Sequence, residues 1–165
     1  ARVVGYDIYQ SDYAKEVVEF LPLDEFIKQS DIICVHLAYI KGKNDNFINE
    51  EFIKNMKPHS ILINVARGEV LDLNAALKAV EEGHLDGLAI DVIENEKTLF
   101  FKNFDDPKHM DSEEHQKLID LYPKVLVTPH VGSSTDKALI DMIEVSLKNL
   151  DEFLSTGTCK NSLIK

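Results

Sequence analysis

The sequence of 165 residues contains only 2 cysteines, 5 prolines and 7 glycines, and it has no tryptophan. Cys34 lies inside an apolar run and Cys159 lies near the end of the chain. Two cysteines in such different settings indicate reduced thiols rather than a disulfide framework. The few prolines and glycines, together with 44% hydrophobic residues, exclude a disordered chain and predict a folded domain with a substantial core.

Positive charge and long hydrophobic runs are also scarce. The chain carries 18 basic against 29 acidic residues, a net charge of −11. Phosphate binding needs clustered lysine and arginine, so this balance argues against a nucleic-acid partner. The longest apolar runs, such as residues 32–40, are too short to span a bilayer, and no signal peptide is visible. The composition predicts a cytoplasmic protein with no membrane partner.

Strand-like and helix-like segments alternate along the chain. Short apolar or β-branched runs predict strands at 2–7, 31–38, 60–65, 87–92 and 124–129. Helical spacing and capping residues predict helices at 22–30, 49–58, 72–83, 112–121 and 134–156. The continuous apolar run at 31–38 is typical of a strand covered on both faces. This alternation predicts right-handed βαβ units and an open parallel sheet.

Polar residues follow the ends of several predicted strands. In open parallel sheets, ligands bind outside the carboxyl ends of the strands. The residues found at these ends are Asp7, 36–38, 65–67, Asp91 and His130. The sequence therefore predicts that two acids, an arginine and a histidine converge on one ligand-binding rim.

The stretch ILINVARGEVLD, residues 61–72, places Arg67 directly after an apolar run. A guanidinium at the end of a buried strand is costly unless an anion meets it. One interpretation is an ion pair with Glu69 or Asp72. The other is an anionic ligand, since a planar guanidinium suits a carboxylate and Gly68 lets the backbone turn sharply and approach a ligand.

The remaining rim residues also have more than one interpretation. Asp7 can cap a turn, or it can bind a ribose as the acid after the second strand of a dinucleotide fold does. A carboxylate beside a histidine raises the pKa of the imidazole and fixes its tautomer, which suits Glu96 and His130 to proton transfer. Glu94 has the pattern of a solvated loop acid. No spacing typical of a metal site occurs, so no metal is expected.

Three motifs together, INVARGEVLD, GLAIDVIENE and VLVTPHVGSSTDKA, resemble the D-isomer-specific 2-hydroxyacid dehydrogenases. The resemblance runs from VVGYD to NLDEFL and covers the later part of that family's NAD-binding domain. It implies an α/β fold, a Rossmann-like doubly wound parallel sheet that lacks its first strand and glycine-rich loop. Residues 1–165 would form a single partial NAD-binding domain of a larger two-domain enzyme, with residues 151–165 returning toward the substrate domain.

The resemblance also implies roles for individual residues. Arg67 would bind the substrate carboxylate, Glu96 would stand behind the histidine, and His130 would donate and accept the proton. Asp7 would hold the ribose. The other residues implied along NAD are Leu37, Ala38, Asn44, Val65, Ala66, Arg67 and Asp91. The family usually has proline where Ala38 stands, and the continuation PHVGSST is more similar to the phosphoglycerate branch.

The implied activity is the NAD-dependent interconversion of a small 2-oxo acid and a D-2-hydroxy acid. The DVIENE start and the charged insert are most similar to the D-lactate and D-2-hydroxyisocaproate branch, which favours pyruvate and D-lactate. Two alternatives stay open, an NAD(H)-sensing protein similar to co-repressors of this family and a phosphoglycerate-type dehydrogenase. The resemblance also implies a homodimer. The 165-residue chain alone is expected to be inactive.

Overall fold

The computed structural model describes residues 1–102 and 112–163. The chain divides into two compact units, Ala1–Pro129 and His130–Lys165. The strands of the first unit are β1 (Val4–Gly5), β2 (Glu19–Phe20), β3 (Ile32–Val35), β4 (Ser60–Asn64), β5 (Leu85–Ile90) and β6 (Val125–Val127). Its helices are α1 (Asp12–Val17), α2 (Leu23–Gln29), α3 (Glu50–Asn55), α4 (Leu73–Glu81) and α5 (Glu113–Asp120).

All described strand pairs are parallel, which confirms the predicted α/β class. β1 pairs with β2, and β3, β4, β5 and β6 form a four-stranded sheet in that order. In the doubly wound order 3-2-1-4-5-6, β2 and β1 correspond to strands 3 and 2, and β3 corresponds to strand 4. β1 and β3 lie in different sheets. Cavities of about 290 and 650 Å³ are lined by residues of both strands.

The core lies on one face of the four-stranded sheet. Ile33 and Val35 of β3 are buried there in the same cluster as residues of α3, α4 and α5. The prediction that residues 31–38 are covered on both faces is wrong. Ile32 is 58% exposed and Cys34 is also exposed, because their side chains alternate to the other face of the pleat. Both cysteines are free thiols, as predicted.

The predicted helices of the first unit form with short boundary shifts. Asn49 caps α3 by accepting from the Phe52 N–H, and the Asp72 carboxylate caps α4 through the Ala75 N–H. α1 and β2 were not predicted, because a six-residue helix without buried residues and a two-residue strand carry little periodicity. Part of the predicted charged loop, residues 103–111, lies outside the described residues.

The second unit is built on α6 (Asp136–Thr156). The Thr135 side chain accepts from the Ala138 N–H at 3.2 Å and caps the helix. Gly157 ends it in the left-handed region with φ 77°, so the predicted helix and its glycine stop are confirmed. Within the described ranges, no helix combines the length and the apolar character needed to cross a membrane.

Candidate cofactor and substrate site

A cavity of about 450 Å³ lies where β3 and β4 end. It is lined by His36, Leu37, Ala38, Tyr39, Val65, Ala66 and Arg67. Two of the predicted groups at strand ends, 36–38 and 65–67, thus come together on one cavity at the carboxyl edge of the sheet. That is the edge where open parallel sheets bind ligands.

A buried asparagine shapes the segment after β4. Asn64 is 0% exposed, its Nδ2 donates to the Arg67 carbonyl at 3.0 Å, and its Oδ1 accepts from the Ala66 N–H at 3.1 Å. Sequence reasoning missed Asn64 as a site residue. The signal was present, because an amide inside an apolar strand needs partners for its polar groups.

Arg67 is exposed, which corrects the premise that its guanidinium is buried at the strand end. Its Nη1 donates to the Ala66 carbonyl at 2.7 Å. Within residues 1–102 and 112–163 it makes no ion pair, with Glu69, Asp72 or any other carboxylate. The ion-pair interpretation is therefore wrong, and the arginine is available to an anion that enters the cavity.

Gly68 is buried and lies against the segment that follows β5. A Cβ at this position would overlap the backbone of Ile93 and Glu94. The close approach at Gly68 is to the protein's own backbone, and the predicted approach to a ligand stays a prediction. The contact fixes the turn that carries Arg67.

Asn44 braces the segment after β3. Its Nδ2 donates to the Ala38 carbonyl at 2.8 Å, and its Oδ1 accepts from the Ile40 N–H at 2.7 Å. This amide therefore holds the backbone beside the cavity. Ala38 and Leu37 lie on the cavity itself.

Asp7 follows β1 and is exposed. Its Oδ1 accepts from the Tyr9 N–H at 2.7 Å, which confirms the turn-cap interpretation. The residue also lies on the 290 Å³ cavity with His36 and Leu37. One carboxylate can serve both purposes, since it offers about four lone-pair sites. The ribose role stays a prediction.

Asp91 ends the β5 segment and is only 9% exposed. Its Oδ1 accepts from the Thr128 hydroxyl at 2.5 Å, and its N–H donates to the Asn64 carbonyl at 3.0 Å. Thr128 was also missed, because it lies 37 residues away along the chain. These bonds tie the end of β5 to β4 and to the residue after β6.

Glu96 and His130 lie in different units. Glu96 is half-buried and begins a 3-10 turn (Glu96–Thr98), after Asn95 with φ 55°. His130 is the first residue of the second unit, exposed, with φ 52°. Glu94 is exposed, as predicted for a solvated loop acid. The proton-transfer role of Glu96 and His130 stays a prediction.

The described residues fit a dinucleotide better than a metal. An exposed carboxylate follows β1, and a cavity lined by the segments after β3 and β4 lies at the same edge of the parallel sheets. Across 1–102 and 112–163, no group of three or more histidine, cysteine or acidic side chains is arranged to hold a metal ion. This fold and site define a doubly wound, dinucleotide-binding domain.

The chain belongs to the D-isomer specific 2-hydroxyacid dehydrogenase family, since residues 1–132 match the profile of that family's NAD binding domain. An aromatic 2-oxoacid reductase of Clostridium sporogenes is 36% identical over 99% of this chain and 48% of its own length. A D-lactate dehydrogenase of Streptococcus pyogenes is 38% identical over 95% of this chain and 47% of its own length.

A solved structure gives the same result for the fold. D-lactate dehydrogenase with NAD+ from Lactobacillus jensenii superposes with a TM-score of 0.89 at 30% identity, covering 100% of this chain and 48% of that one. The chain thus spans about half the length of the relatives it matches.

Proposed function

We propose that this chain carries the NAD-binding part of a dehydrogenase that interconverts a 2-oxo acid and a D-2-hydroxy acid. The observation that carries the proposal is Arg67, an exposed guanidinium with no ion pair among the described residues, on the same cavity as Leu37 and Ala38. A planar guanidinium binds a carboxylate through two parallel hydrogen bonds. Every 2-oxo acid presents such a carboxylate next to its reacting carbonyl.

Three side chains are proposed to carry out the reaction. Arg67 holds the substrate carboxylate and polarises the neighbouring carbonyl. His130 gives a proton to the carbonyl oxygen as it becomes an alkoxide, and Glu96 stabilises the protonated imidazole and fixes its tautomer. Positioned acid–base groups of this kind contribute about 10²- to 10⁴-fold to the rate. When bound, the reduced cofactor supplies the hydride.

Asp7 is proposed to select NAD over NADP. A carboxylate at the end of this strand accepts hydrogen bonds from the ribose hydroxyls and repels a 2′-phosphate. Val65, Ala66 and Asp91 are proposed to lie along the rest of the cofactor. The buried Asn64 supports this role, because it fixes the backbone on which Val65 and Ala66 stand.

The substrate is proposed to be pyruvate, with D-lactate as the product. The 38% identity to a D-lactate dehydrogenase supports this choice. An aromatic 2-oxo acid is the second candidate, favoured by the 36% identity to an aromatic 2-oxoacid reductase over 99% of this chain. We further propose that the protein works in the cytoplasm as a homodimer.

The 165 residues alone are proposed to bind NAD weakly and to be inactive. The sequence has no glycine-rich fingerprint, so no helix N-terminus behind such a loop receives the pyrophosphate. Isothermal calorimetry of the 165-residue chain with NADH tests this expectation. A micromolar dissociation constant would contradict it.

The natural full-length gene product provides the test of function. NADH oxidation is measured with pyruvate, 2-oxoisocaproate, phenylpyruvate, 3-phosphohydroxypyruvate and glyoxylate, and NADPH serves as the cofactor control. We expect turnover of pyruvate with NADH and much less with NADPH. Preferred turnover of 3-phosphohydroxypyruvate would move the protein to the phosphoglycerate type. NADH binding without turnover of any acid would favour an NAD(H)-sensing protein.

A further inference from the structure

Tyr39 lines the Arg67 cavity, although no sequence motif singled it out. Its ring is half-buried and packs against the hydrophobic core. Its hydroxyl donates to Asp45 Oδ1 at 2.7 Å. Apolar contacts therefore hold the ring, and a charge-assisted hydrogen bond holds its hydroxyl.

Asp45 connects this ring to the turn that follows. Its second oxygen, Oδ2, accepts from the Gly42 N–H at 2.6 Å. The hydrogen bond to Asp45 raises the pKa of Tyr39 to about 12, and the hydrogen bond from Tyr39 lowers the pKa of Asp45. At neutral pH the phenol stays protonated and the carboxylate stays charged, so the link persists under assay conditions.

The same segment has two further supports. Asn44 holds the Ala38 carbonyl and the Ile40 N–H, so two adjacent side chains fix the backbone from Ala38 to Gly42. At the far end, the Asn46 N–H donates to the Glu69 carbonyl at 2.8 Å. This bond joins the segment after β3 to the segment that carries Arg67.

We propose that Tyr39 and Asp45 are positioning residues, which hold the backbone of residues 37–40 in the geometry that binds the nicotinamide dinucleotide. The segment has no regular secondary structure and is exposed at residues 41–43. Its order comes from these side-chain bonds together with turn bonds from the N–H groups of residues 43 and 44 to the Ile40 carbonyl at 2.9 and 3.3 Å. The inference rests on the proposed function only in taking NADH as the ligand of this edge.

The expected effect follows from the population of the ordered segment. When only a fraction of molecules has the binding geometry, the apparent dissociation constant rises by the inverse of that fraction. A fall of the ordered fraction to between a third and a tenth raises the Kd of NADH by about 3- to 10-fold. The turnover number of the loaded enzyme is expected to change less, because the pair is proposed to act through the backbone of residues 37–40.

The test uses the full-length gene product and NADH as the probe. Tyr39→Phe and Asp45→Asn are each expected to raise the Kd measured by NADH fluorescence by about 3- to 10-fold, with kcat and the KM of the 2-oxo acid within about twofold of wild type. The double variant should raise the Kd by less than the product of the two single effects, because both changes act on the Tyr39–Asp45 bond, although Asp45 also accepts from the Gly42 N–H. The matched control is Tyr13→Phe, since Tyr13 is 76% exposed and its hydroxyl has no hydrogen bond among the described residues.

A rescue variant separates positioning from general loss of stability. The Ala38 N–H donates no hydrogen bond within the described ranges, so proline at this position removes none. Proline restricts the backbone, and Ala38→Pro should return the NADH affinity of Tyr39→Phe to within about twofold of wild type. If Tyr39→Phe lowers both kcat and thermal stability, and Ala38→Pro does not restore its NADH affinity, the inference is overturned.

The outcomes also distinguish this inference from the proposed function. If the wild type binds NADH but reduces no 2-oxo acid, and Tyr39→Phe weakens NADH binding, the proposed function fails and the positioning role stands. If the wild type reduces a 2-oxo acid and Tyr39→Phe binds NADH as tightly as Tyr13→Phe does, the positioning role fails. Absence of NADH binding in the wild type overturns both.

Discussion

Two segments meet at the Arg67 cavity, and an asparagine braces each of them in the same way. Asn64 bonds the Arg67 carbonyl and the Ala66 N–H after β4, and Asn44 bonds the Ala38 carbonyl and the Ile40 N–H after β3. The difference is burial, because Asn64 is 0% exposed whereas Asn44 is half-buried. Water can replace the bonds of Asn44, but it cannot readily replace those of Asn64.

This difference in burial indicates that the cavity has a rigid wall, formed by the segment after β4, and an adjustable wall, formed by the segment after β3. The segment after β4 is packed into the core, with Ala66, Gly68 and Val70 buried. The segment after β3 is ordered by side-chain hydrogen bonds at its surface and by backbone bonds of its turn. The rigid wall presents the arginine, whose direction matters for a carboxylate. The order of the adjustable wall is proposed to set the affinity for the cofactor.

The largest expected effect is that of Gly68→Ala. A methyl group there overlaps the backbone of Ile93 and Glu94, and neither can move without displacing the segment after β5. We expect a loss of about 4 kcal/mol or more in the free energy of unfolding, measured by urea denaturation. The control is Gly87→Ala in β5, where a Cβ meets its nearest neighbour at 3.5 Å. It should stay within about 1 kcal/mol of wild type, and equal losses at both sites would contradict the packing argument.

Arg67→Ala should remove the substrate contact without unfolding the protein, since the side chain is exposed. Loss of a charge-assisted pair of hydrogen bonds predicts a fall in kcat/KM of about 10²-fold, with KM raised and kcat also lowered. Arg67→Lys should recover only part of this, because an ammonium lacks the planar fork. Steady-state kinetics with the preferred 2-oxo acid measure both. Unchanged kinetics in Arg67→Ala would remove the arginine from the site.

The two asparagines form a matched pair of variants. Asn64→Ala leaves the buried Ala66 N–H without its partner and removes one of two bonds to the Arg67 carbonyl, so it should reduce the free energy of unfolding by about 1–3 kcal/mol. Asn44→Ala should reduce it by less than about 1 kcal/mol, because water can reach the Ala38 carbonyl and the Ile40 N–H that Asn44 bonds. Thermal denaturation of the two variants in parallel measures the difference. Equal losses would show that burial does not distinguish the two walls.

The smallest expected effect is the titration of Tyr39. Its pKa is raised to about 12 by the hydrogen bond to Asp45, so the bond is complete below pH about 10 and is lost as the pH rises through 12. Absorbance at about 295 nm follows phenol ionisation. Tyr39→Phe should remove one ionisation step near pH 12. Loss of a step near pH 10 instead would show that the Tyr39 hydroxyl is solvated and makes no hydrogen bond to Asp45.

Local sequence patterns predicted most of the fold and part of the site. The strand–helix alternation and the polar residues at strand ends predicted which residues share the cavity, including Ala38 and Arg67. Thr128 could not be predicted, because its bond to Asp91 joins residues 37 positions apart. Tyr39 was missed for a related reason. A tyrosine in a polar loop has no pattern that indicates a core contact or a partner six residues later.

The central claim is that Arg67 and the cofactor edge serve the reduction of a 2-oxo acid to the D-isomer. The most direct measurement is chiral chromatography of the product formed by the full-length gene product from pyruvate and NADH. The account predicts D-lactate, with phenylpyruvate giving D-phenyllactate when the aromatic substrate is preferred. An L-product, or no product from any 2-oxo acid in the presence of bound NADH, would contradict it.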